Sequence, residues 1–189
     1  MAREVWLVRH AETEWSKTHR HTGRTDVPLT DTGRRHAEAL RERLADASFA
    51  AVLVSPLSRA RETAELAGLG SVAQVREDLV EFDYGEYEGI TTTEIRKTRP
   101  GWLLWRDGSP GGETPDDVGA RADRIVAEAL AADGDGDVAL IAHGHVLRVV
   151  AARWLEQPAS FGGRLALATG ALCRLGFERE TRVIRAWNV

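Results

Sequence analysis

The sequence has a single cysteine, Cys173, among its 189 residues, so a disulfide within the chain is excluded. Cys173 lies in an apolar stretch, which indicates a small core side chain and not a nucleophile. No apolar run approaches the length of a membrane span, and the first residues lack the long hydrophobic segment of a secretory signal. We therefore expect a cytoplasmic protein that has no membrane partner.

The sequence also has no large excess of charge of one sign. It contains 25 basic and 29 acidic residues, which gives a net charge of −4. This balance argues against a general binder of nucleic acid or of anionic membranes, so any anion site must be local. Linker-like stretches, internal repeats and low-complexity segments are missing too, and 43% hydrophobic residues suffice for one core. We expect a single domain over residues 1–189.

Two short apolar runs each end in a histidine. The run over residues 5–8 is followed by Arg9 and His10, and the run over residues 138–142 is followed by His143. Ligands of parallel sheets bind beyond the carboxyl ends of the strands, so both histidines should lie at one rim of the sheet. A single histidine beside a core strand is more often structural. The pair together with Arg9 favours a catalytic site.

Strand and helix patterns alternate along the chain. Thr30, Ser55 and Thr114 are predicted as helix N-caps, the last two followed by proline at the first helical position. The predicted helices cover residues 30–47, 56–68, 92–97, 115–130 and 146–155, and the further strands cover 50–54, 72–75, 172–177 and 183–187. This order predicts an α/β fold, a three-layer α/β/α sandwich with a largely parallel central sheet.

Three features outside the histidine runs have two interpretations each. Arg59 falls in the first turn of a predicted helix, where it could add to an anion site or simply lie on the surface. The four carboxylates within residues 81–88 suit acid chemistry or a solvated loop, and composition does not choose between them. Residues 108–113 have the composition of a flexible loop or lid at the mouth of a site.

The residues from Arg9 to Thr13 read Arg-His-Ala-Glu-Thr. This stretch resembles the Arg-His-Gly-Glu-Thr/Ser signature of the histidine phosphatase superfamily, also called the phosphoglycerate mutase-like family, with Ala11 in place of the usual glycine. The resemblance continues in order through residues 22–26, 55–60, 81–89 and 143–145. It implies the phosphoglycerate mutase-like form of the sandwich.

The resemblance also implies roles for particular residues. His10 corresponds to the nucleophile that accepts the phosphoryl group, and Glu81 corresponds to the proton donor. The rest of the phosphate pocket corresponds to Arg9, Arg59 and His143. A neutral imidazole can attack phosphorus directly, and positive groups around it stabilise the charge that spreads over the phosphoryl oxygens. This chemistry requires neither a metal ion nor another cofactor.

Further residues correspond to positions on the substrate side. They are Ser16, Thr22, Gly23, Arg106 and Gly144, and residues 111–114 would lie near the entrance. His19, His21 and His145 could touch the substrate or have only structural roles. The tryptophans could pack in the core or in a homodimer interface, so the oligomeric state stays open.

These observations predict a metal-independent phosphatase that hydrolyses small phosphate monoesters, either sugar phosphates or a broad range, through a phosphohistidine on His10. One alternative is a cofactor-dependent phosphoglycerate mutase. Mutases of this superfamily commonly carry paired arginines after a tryptophan, whereas here Asp107 follows Arg106 and should repel a substrate carboxylate. Two more alternatives are a non-catalytic protein that binds a phosphorylated ligand and a metal site formed by His10, His143 and His145.

Overall fold

One mixed sheet forms the centre of the protein. The computed structural model describes residues 3–189. Met1 and Ala2 lie outside that range, and the prediction that the first residues lack a secretory signal rests partly on them. The strands are β1 (Val5–Arg9), β2 (Phe49–Val54), β3 (Ala73–Val75), β4 (Asp137–Ala142), β5 (Leu172–Glu178) and β6 (Thr181–Ala186). They are hydrogen-bonded in the order β3-β2-β4-β1-β5-β6.

The first four strands in the chain are parallel to one another, and the last two form an antiparallel hairpin at one edge. The predicted largely parallel sheet is therefore confirmed. Arg9 on β1 lies opposite Ala142 on β4, and the His10 N–H donates to the Ala142 carbonyl over 2.8 Å. This register brings the residues after both strands to one rim of the sheet.

Helices cover both faces of the sheet, as predicted. They are α1 (Glu14–Lys17), α2 (Asp31–Leu44), α3 (Ser58–Leu66), α4 (Thr92–Thr98), α5 (Leu104–Asp107), α6 (Pro115–Ala131) and α7 (Gly144–Trp154). One buried cluster joins α6 and α7 to the sheet through residues such as Ile125 and Val149. A second cluster joins α2 and α3 to the opposite face through residues such as Leu40 and Ala64. The two apolar layers give the sandwich its core.

Two of the three predicted caps are confirmed. Thr30 accepts a hydrogen bond from the Gly33 N–H, and Thr114 forms a reciprocal capping box with Asp117. The prediction for Ser55 was wrong, because α3 begins at Ser58 and its N-cap residue Leu57 makes no side-chain capping bond. The Ser55 hydroxyl bonds the ring of His143 over 2.7 Å, and its local contact is a long bond of 3.4 Å from the Leu57 N–H, which lies before the helix.

Cys173 is fully buried between the strands of the core, as expected. Burial raises the pKa of its thiol to about 11, so the group stays a neutral thiol at physiological pH. Within residues 3–189, no helix combines the length and the apolar composition needed to cross a membrane.

Candidate active site

His10 and His143 meet at the rim where β1 and β4 end. Their ring centroids are 5.1 Å apart. Arg59, in the first turn of α3, donates its Nε–H to Nδ1 of His143 over 3.1 Å. Three segments that are far apart in the sequence therefore contribute to one buried polar cluster.

The ring of His10 is held in one tautomer. Its Nδ1 lies 2.7 Å from the carbonyl oxygen of Ala11, and because a carbonyl only accepts hydrogen bonds, Nδ1 must carry the proton. Burial lowers the pKa of His10 well below its usual value, and the charges of Arg9 and Arg59 lower it further. At neutral pH the ring is uncharged, with a lone pair on Nε2, which is the state that a nucleophile needs.

His143 is bonded through both of its ring nitrogens. Nδ1 accepts from Arg59, so Nε2 carries the proton of the neutral ring and donates to the Ser55 hydroxyl over 2.7 Å. Burial lowers the pKa of His143 well below its usual value, and the charge of Arg59 adds to this effect. A ring engaged on both sides has no lone pair left for a metal ion. Within residues 3–189, no group of three or more histidine, cysteine or carboxylate side chains is arranged to hold one.

Arg59 is fully buried and its guanidinium is fixed by the backbone. It donates to the carbonyl groups of Thr22, Gly23 and Thr25 over 2.8–3.1 Å. Burial lowers the pKa of Arg59, an effect that Glu81 partly opposes. An arginine side chain stays protonated even so, and a charge held in this way has little freedom to reorganise.

A carboxylate of the acidic loop holds the segment that binds Arg59. Glu88 accepts hydrogen bonds from the backbone N–H groups of Gly23 and Thr25 over 2.9–3.0 Å. A side chain at position 23 would bring its Cβ to 2.6 Å from the Phe82 carbonyl oxygen, so only glycine fits there. Glu88 therefore positions the backbone carbonyl groups that hold Arg59.

Arg9 places an unused donor in the site. One of its amino groups donates to the Leu167 carbonyl, whereas its buried Nε–H has no partner among residues 3–189. Burial lowers its pKa, and Glu81 opposes that shift. A Cβ at Gly144 would lie 3.1 Å from the Arg9 guanidinium, so Gly144 makes room for this side chain. The second amino group of Arg9 makes no hydrogen bond within residues 3–189 and is not fully buried, so it is a cationic donor suited to an anionic ligand in the cleft.

Glu81 lies at the start of α7. Its carboxylate accepts from the backbone N–H groups of Phe82, His145 and Val146 over 2.9–3.0 Å. A negative charge at a helix N-terminus is favoured by the helix dipole and by the N–H groups that have no partner within the helix. The N-terminus of α7 therefore fixes this carboxylate beside the cleft.

A cleft of about 220 Å³ opens above His10. Its wall contains Arg9, His10, Ser16, His19, Arg20, His21, Thr22, Glu81, Tyr84, Thr92 and His145. Five of the residues predicted for the site are thus on the wall. Arg59 and His143 stand behind His10, and Gly23 and Gly144 support the loop and Arg9 from outside the cleft.

The structure does not bring Arg106 to the cleft. Its side chain is 63% exposed, pairs with Asp107 at 2.8 Å and donates to the Gly101 carbonyl. The predicted lid does not line the cleft either. Its last residue, Glu113, accepts from the Asp83 N–H and from Arg121, so the segment supports the acidic loop.

Sequence reasoning missed Ser55, Tyr84 and Glu88 as residues of this site. Ser55 directly follows β2, so the rule that drew attention to His10 and His143 could also have selected it. Tyr84 and Glu88 lie in a loop with four carboxylates and two tyrosines, where the sequence contains no signal that ranks one above another.

Comparison with known proteins identifies the family of this chain. The family model of the histidine phosphatase superfamily (branch 1) matches residues 5–189. The chain belongs to the histidine phosphatase superfamily. It is 45% identical over 178 residues to an acid phosphatase of Mycobacterium tuberculosis, an alignment that covers 93% of this chain and 87% of the relative.

Two further comparisons show the extent of the similarity. A sedoheptulose 1,7-bisphosphatase of Saccharomyces cerevisiae is 36% identical over 179 residues, covering 78% of this chain and 66% of the relative. A solved structure of an open reading frame from Mycobacterium tuberculosis superposes with a TM-score of 0.94 at 42% identity, covering 99% of this chain and 97% of that one. Fold and family are thereby established along nearly the whole chain.

Proposed function

We propose that this protein is a phosphomonoester hydrolase that transfers the phosphoryl group of a small substrate to His10 and then to water. Its membership of the superfamily and its similarity to an acid phosphatase and to a sugar bisphosphatase support this class of reaction. The observation that carries the proposal is the state of His10, which is buried, uncharged and oriented by Ala11 so that Nε2 is the nucleophilic atom.

In the first step Nε2 of His10 attacks phosphorus and the bond to the ester oxygen breaks. The electron pair of that bond goes to the leaving oxygen. This oxygen takes a proton from Glu81, whose carboxylate has received it from the hydroxyl of the bound phosphate monoanion. The positive charge that develops on the ring is shared with the Ala11 carbonyl through the Nδ1–H. Arg9 and Arg59 stabilise the negative charge on the phosphoryl oxygens during transfer.

In the second step a water molecule attacks the phosphohistidine. The carboxylate of Glu81 takes one proton from that water, the bond between phosphorus and nitrogen breaks, and its electron pair returns to Nε2. Glu81 then returns that proton to the inorganic phosphate, so phosphate and the starting enzyme are the products. All the groups that these steps require are side chains of this chain, and they lie on the cleft wall or directly behind it.

The position of Arg106 favours hydrolysis over mutase activity. A mutase needs cationic groups that grip the carboxylate of phosphoglycerate, and Arg106 is instead engaged by Asp107 outside the cleft. The alternative of a silent ligand-binding protein is disfavoured because binding alone requires neither a free nucleophilic nitrogen on His10 nor a carboxylate beside it. A cytoplasmic location and a homodimer stay predictions of the sequence.

The proposal is tested by measuring phosphate release from p-nitrophenyl phosphate, 3-phosphoglycerate, sugar phosphates and nucleotides in the presence of EDTA. The wild-type protein should release phosphate and His10→Ala should not. Release that persists in His10→Ala, or that requires a metal ion, would contradict the mechanism. Interconversion of phosphoglycerates without release of phosphate would favour the mutase.

A further inference from the structure

Two histidines that the reaction above does not use face the same cleft. His21 and His145 both lie on its wall, with their rings stacked at a centroid distance of 6.4 Å and an interplanar angle of 12°. Within residues 3–189, neither Nε2 atom makes a hydrogen bond, and neither is fully buried. Both atoms are therefore available to a ligand in the cleft.

His21 presents a hydrogen-bond acceptor. Its Nδ1 lies 2.8 Å from the carbonyl oxygen of Ile90, so Nδ1 carries the proton and Nε2 of the neutral ring holds the lone pair. The ring packs edge-on against Tyr84 and Trp102, at centroid distances of 4.8 Å and 5.5 Å. Because these contacts fix the ring, the direction of the acceptor is fixed as well.

His145 presents a hydrogen-bond donor. Its Nδ1 is bonded to the hydroxyl of Tyr84, whose pKa burial raises well above its usual value, so the phenol keeps its proton. We assign the proton of this bond to the phenol, which makes no other hydrogen bond within residues 3–189. The Glu81 carboxylate lies 3.9 Å from the same Nδ1, beyond hydrogen-bond distance. Nε2 of His145 then carries the proton of the neutral ring. Packing against Trp105, at a centroid distance of 5.3 Å, holds this ring in place.

The two rings contribute hydrogen bonds but no charge. Burial lowers the pKa of His145 well below its usual value and lowers that of His21 as well, so both rings are neutral at neutral pH. The charged groups of the wall are Arg9 and Glu81, which the reaction uses, and Arg20, which is exposed and donates to the Gly89 carbonyl. The wall beside the two histidines therefore suits uncharged polar groups.

We propose that His21 and His145 form a subsite for the leaving group and that they select phosphate esters of hydroxyl-bearing carbon chains. A hydroxyl can donate to Nε2 of His21 or accept from Nε2–H of His145, so neighbouring hydroxyls of one chain satisfy both. A carboxylate only accepts, so it would place its charge against the lone pair of His21. Tyr84 is a positioning residue, because it acts by fixing the tautomer of His145. This inference rests on the phosphatase function proposed above.

The test uses three esters that share a three-carbon chain, glycerol 3-phosphate, n-propyl phosphate and 3-phosphoglycerate. Glycerol 3-phosphate carries two hydroxyls and propyl phosphate carries none. 3-Phosphoglycerate carries one hydroxyl and one carboxylate. We expect the wild-type kcat/KM for glycerol 3-phosphate to exceed the values for the other two esters by about tenfold or more. Those esters leave a nitrogen of His21 or His145 without a suitable hydrogen-bond partner in the site. The leaving oxygens are all primary, and comparing each ester between the wild type and the variants below cancels the remaining difference in leaving-group acidity, so that comparison reports recognition.

His21→Phe and His145→Phe keep an aromatic ring and remove the nitrogens. Each should reduce the preference for glycerol 3-phosphate over propyl phosphate to less than about threefold. His36→Phe, on the exposed side of α2, is the matched control and should keep the wild-type preference. A wild-type enzyme with no preference, a preference that survives both substitutions, or a best rate on 3-phosphoglycerate would overturn the inference.

A measurement without turnover tests the same geometry in the unaltered protein. Long-range ¹H–¹⁵N NMR spectra of the wild type should show His21 protonated at Nδ1 and His145 protonated at Nε2, and Tyr84→Phe should change the pattern of His145 only. The opposite tautomers would overturn the subsite. Failure of the proposed function is distinct from these outcomes, because it would appear as no phosphate release from any ester or as release that survives His10→Ala.

Discussion

The Nε–H of Arg59 donates to Nδ1 of His143, and the opposite nitrogen of that ring donates to the hydroxyl of Ser55. This bonding makes the arginine and the histidine one rigid unit behind the nucleophile. The other guanidinium donors of Arg59 are held by carbonyl groups of residues 22–25. The unit therefore holds a buried positive charge in a fixed position next to His10.

Replacing Arg59 tests this unit. Arg59→Lys keeps the charge but loses the planar fork of donors, so we expect kcat/KM to fall by about 100-fold or more. Arg59→Met leaves several buried carbonyl groups without partners, which should lower the free energy of unfolding by about 3 kcal/mol. Steady-state kinetics and urea denaturation measure the two effects. Arg61→Lys, at an exposed position of the same helix, is the control, and equal losses in Arg61→Lys and Arg59→Lys would contradict the account.

The pKa of His10 gives a second prediction. Because it lies well below 6.5, the nucleophile should remain uncharged as the pH falls through 6.5, and activity that depends on it should be lost only at lower pH. An NMR titration of the histidine ring signals, with that of His10 identified by its disappearance in His10→Ala, measures this directly. A His10 signal that titrates near pH 6.5 would show that burial and the two arginines do not control its charge.

Glu81 should matter most for substrates with poor leaving groups. Glu81→Gln keeps the shape of the side chain but cannot donate a carboxyl proton, so we expect kcat for an alkyl phosphate to fall by about 100-fold or more. The loss should be smaller for p-nitrophenyl phosphate, because p-nitrophenolate leaves without needing a proton. Glu86→Gln, which changes an exposed carboxylate of the same loop, is the control. Equal losses on both substrates would contradict the role as proton donor.

Stability should also depend on pH. His10, His21, His143 and His145 have lowered pKa values in the folded protein, whereas in the unfolded chain they return to about 6.5. Below pH 6.5 the unfolded chain therefore binds more protons than the folded one. The free energy of unfolding should then fall with falling pH, by up to about 1.4 kcal/mol per pH unit for each such histidine.

Urea denaturation at pH 8, 7, 6 and 5 measures this dependence. His145→Phe removes one of the four groups, so its free energy of unfolding should decline less steeply below pH 6.5 than that of the wild type. A free energy that stays constant between pH 7 and pH 5 would show that the buried histidines accept protons in the folded state.

The predictable parts of this molecule are those set by local pattern and by parallel register. The apolar runs before His10 and His143 identify two central strands, and the parallel pairing of Arg9 with Ala142 then brings the two rings together. The caps at Thr30 and Thr114 depend only on residues three positions away, so they too follow from the sequence. The same reasoning gave the layers of the sandwich.

The remaining parts depend on contacts that local pattern does not contain. Ser55 has the sequence context of a helix cap, but its hydroxyl bonds a ring 88 residues away. Arg106 matches a family position, yet its neighbour Asp107 engages it outside the cleft. The bond between Tyr84 and His145 depends on how the acidic loop packs against α7, which no spacing in the sequence specifies.

The central claim is that a covalent phosphohistidine forms on His10. The most direct test is to mix the protein with p-nitrophenyl phosphate, quench within milliseconds under alkaline conditions and map the phosphoryl group by mass spectrometry of the peptides. We predict an acid-labile phosphoryl group on His10 that is lost in His10→Ala and accumulates more in Glu81→Gln. Turnover without any phosphoryl group on His10, or a phosphoryl group on another histidine, would contradict the account.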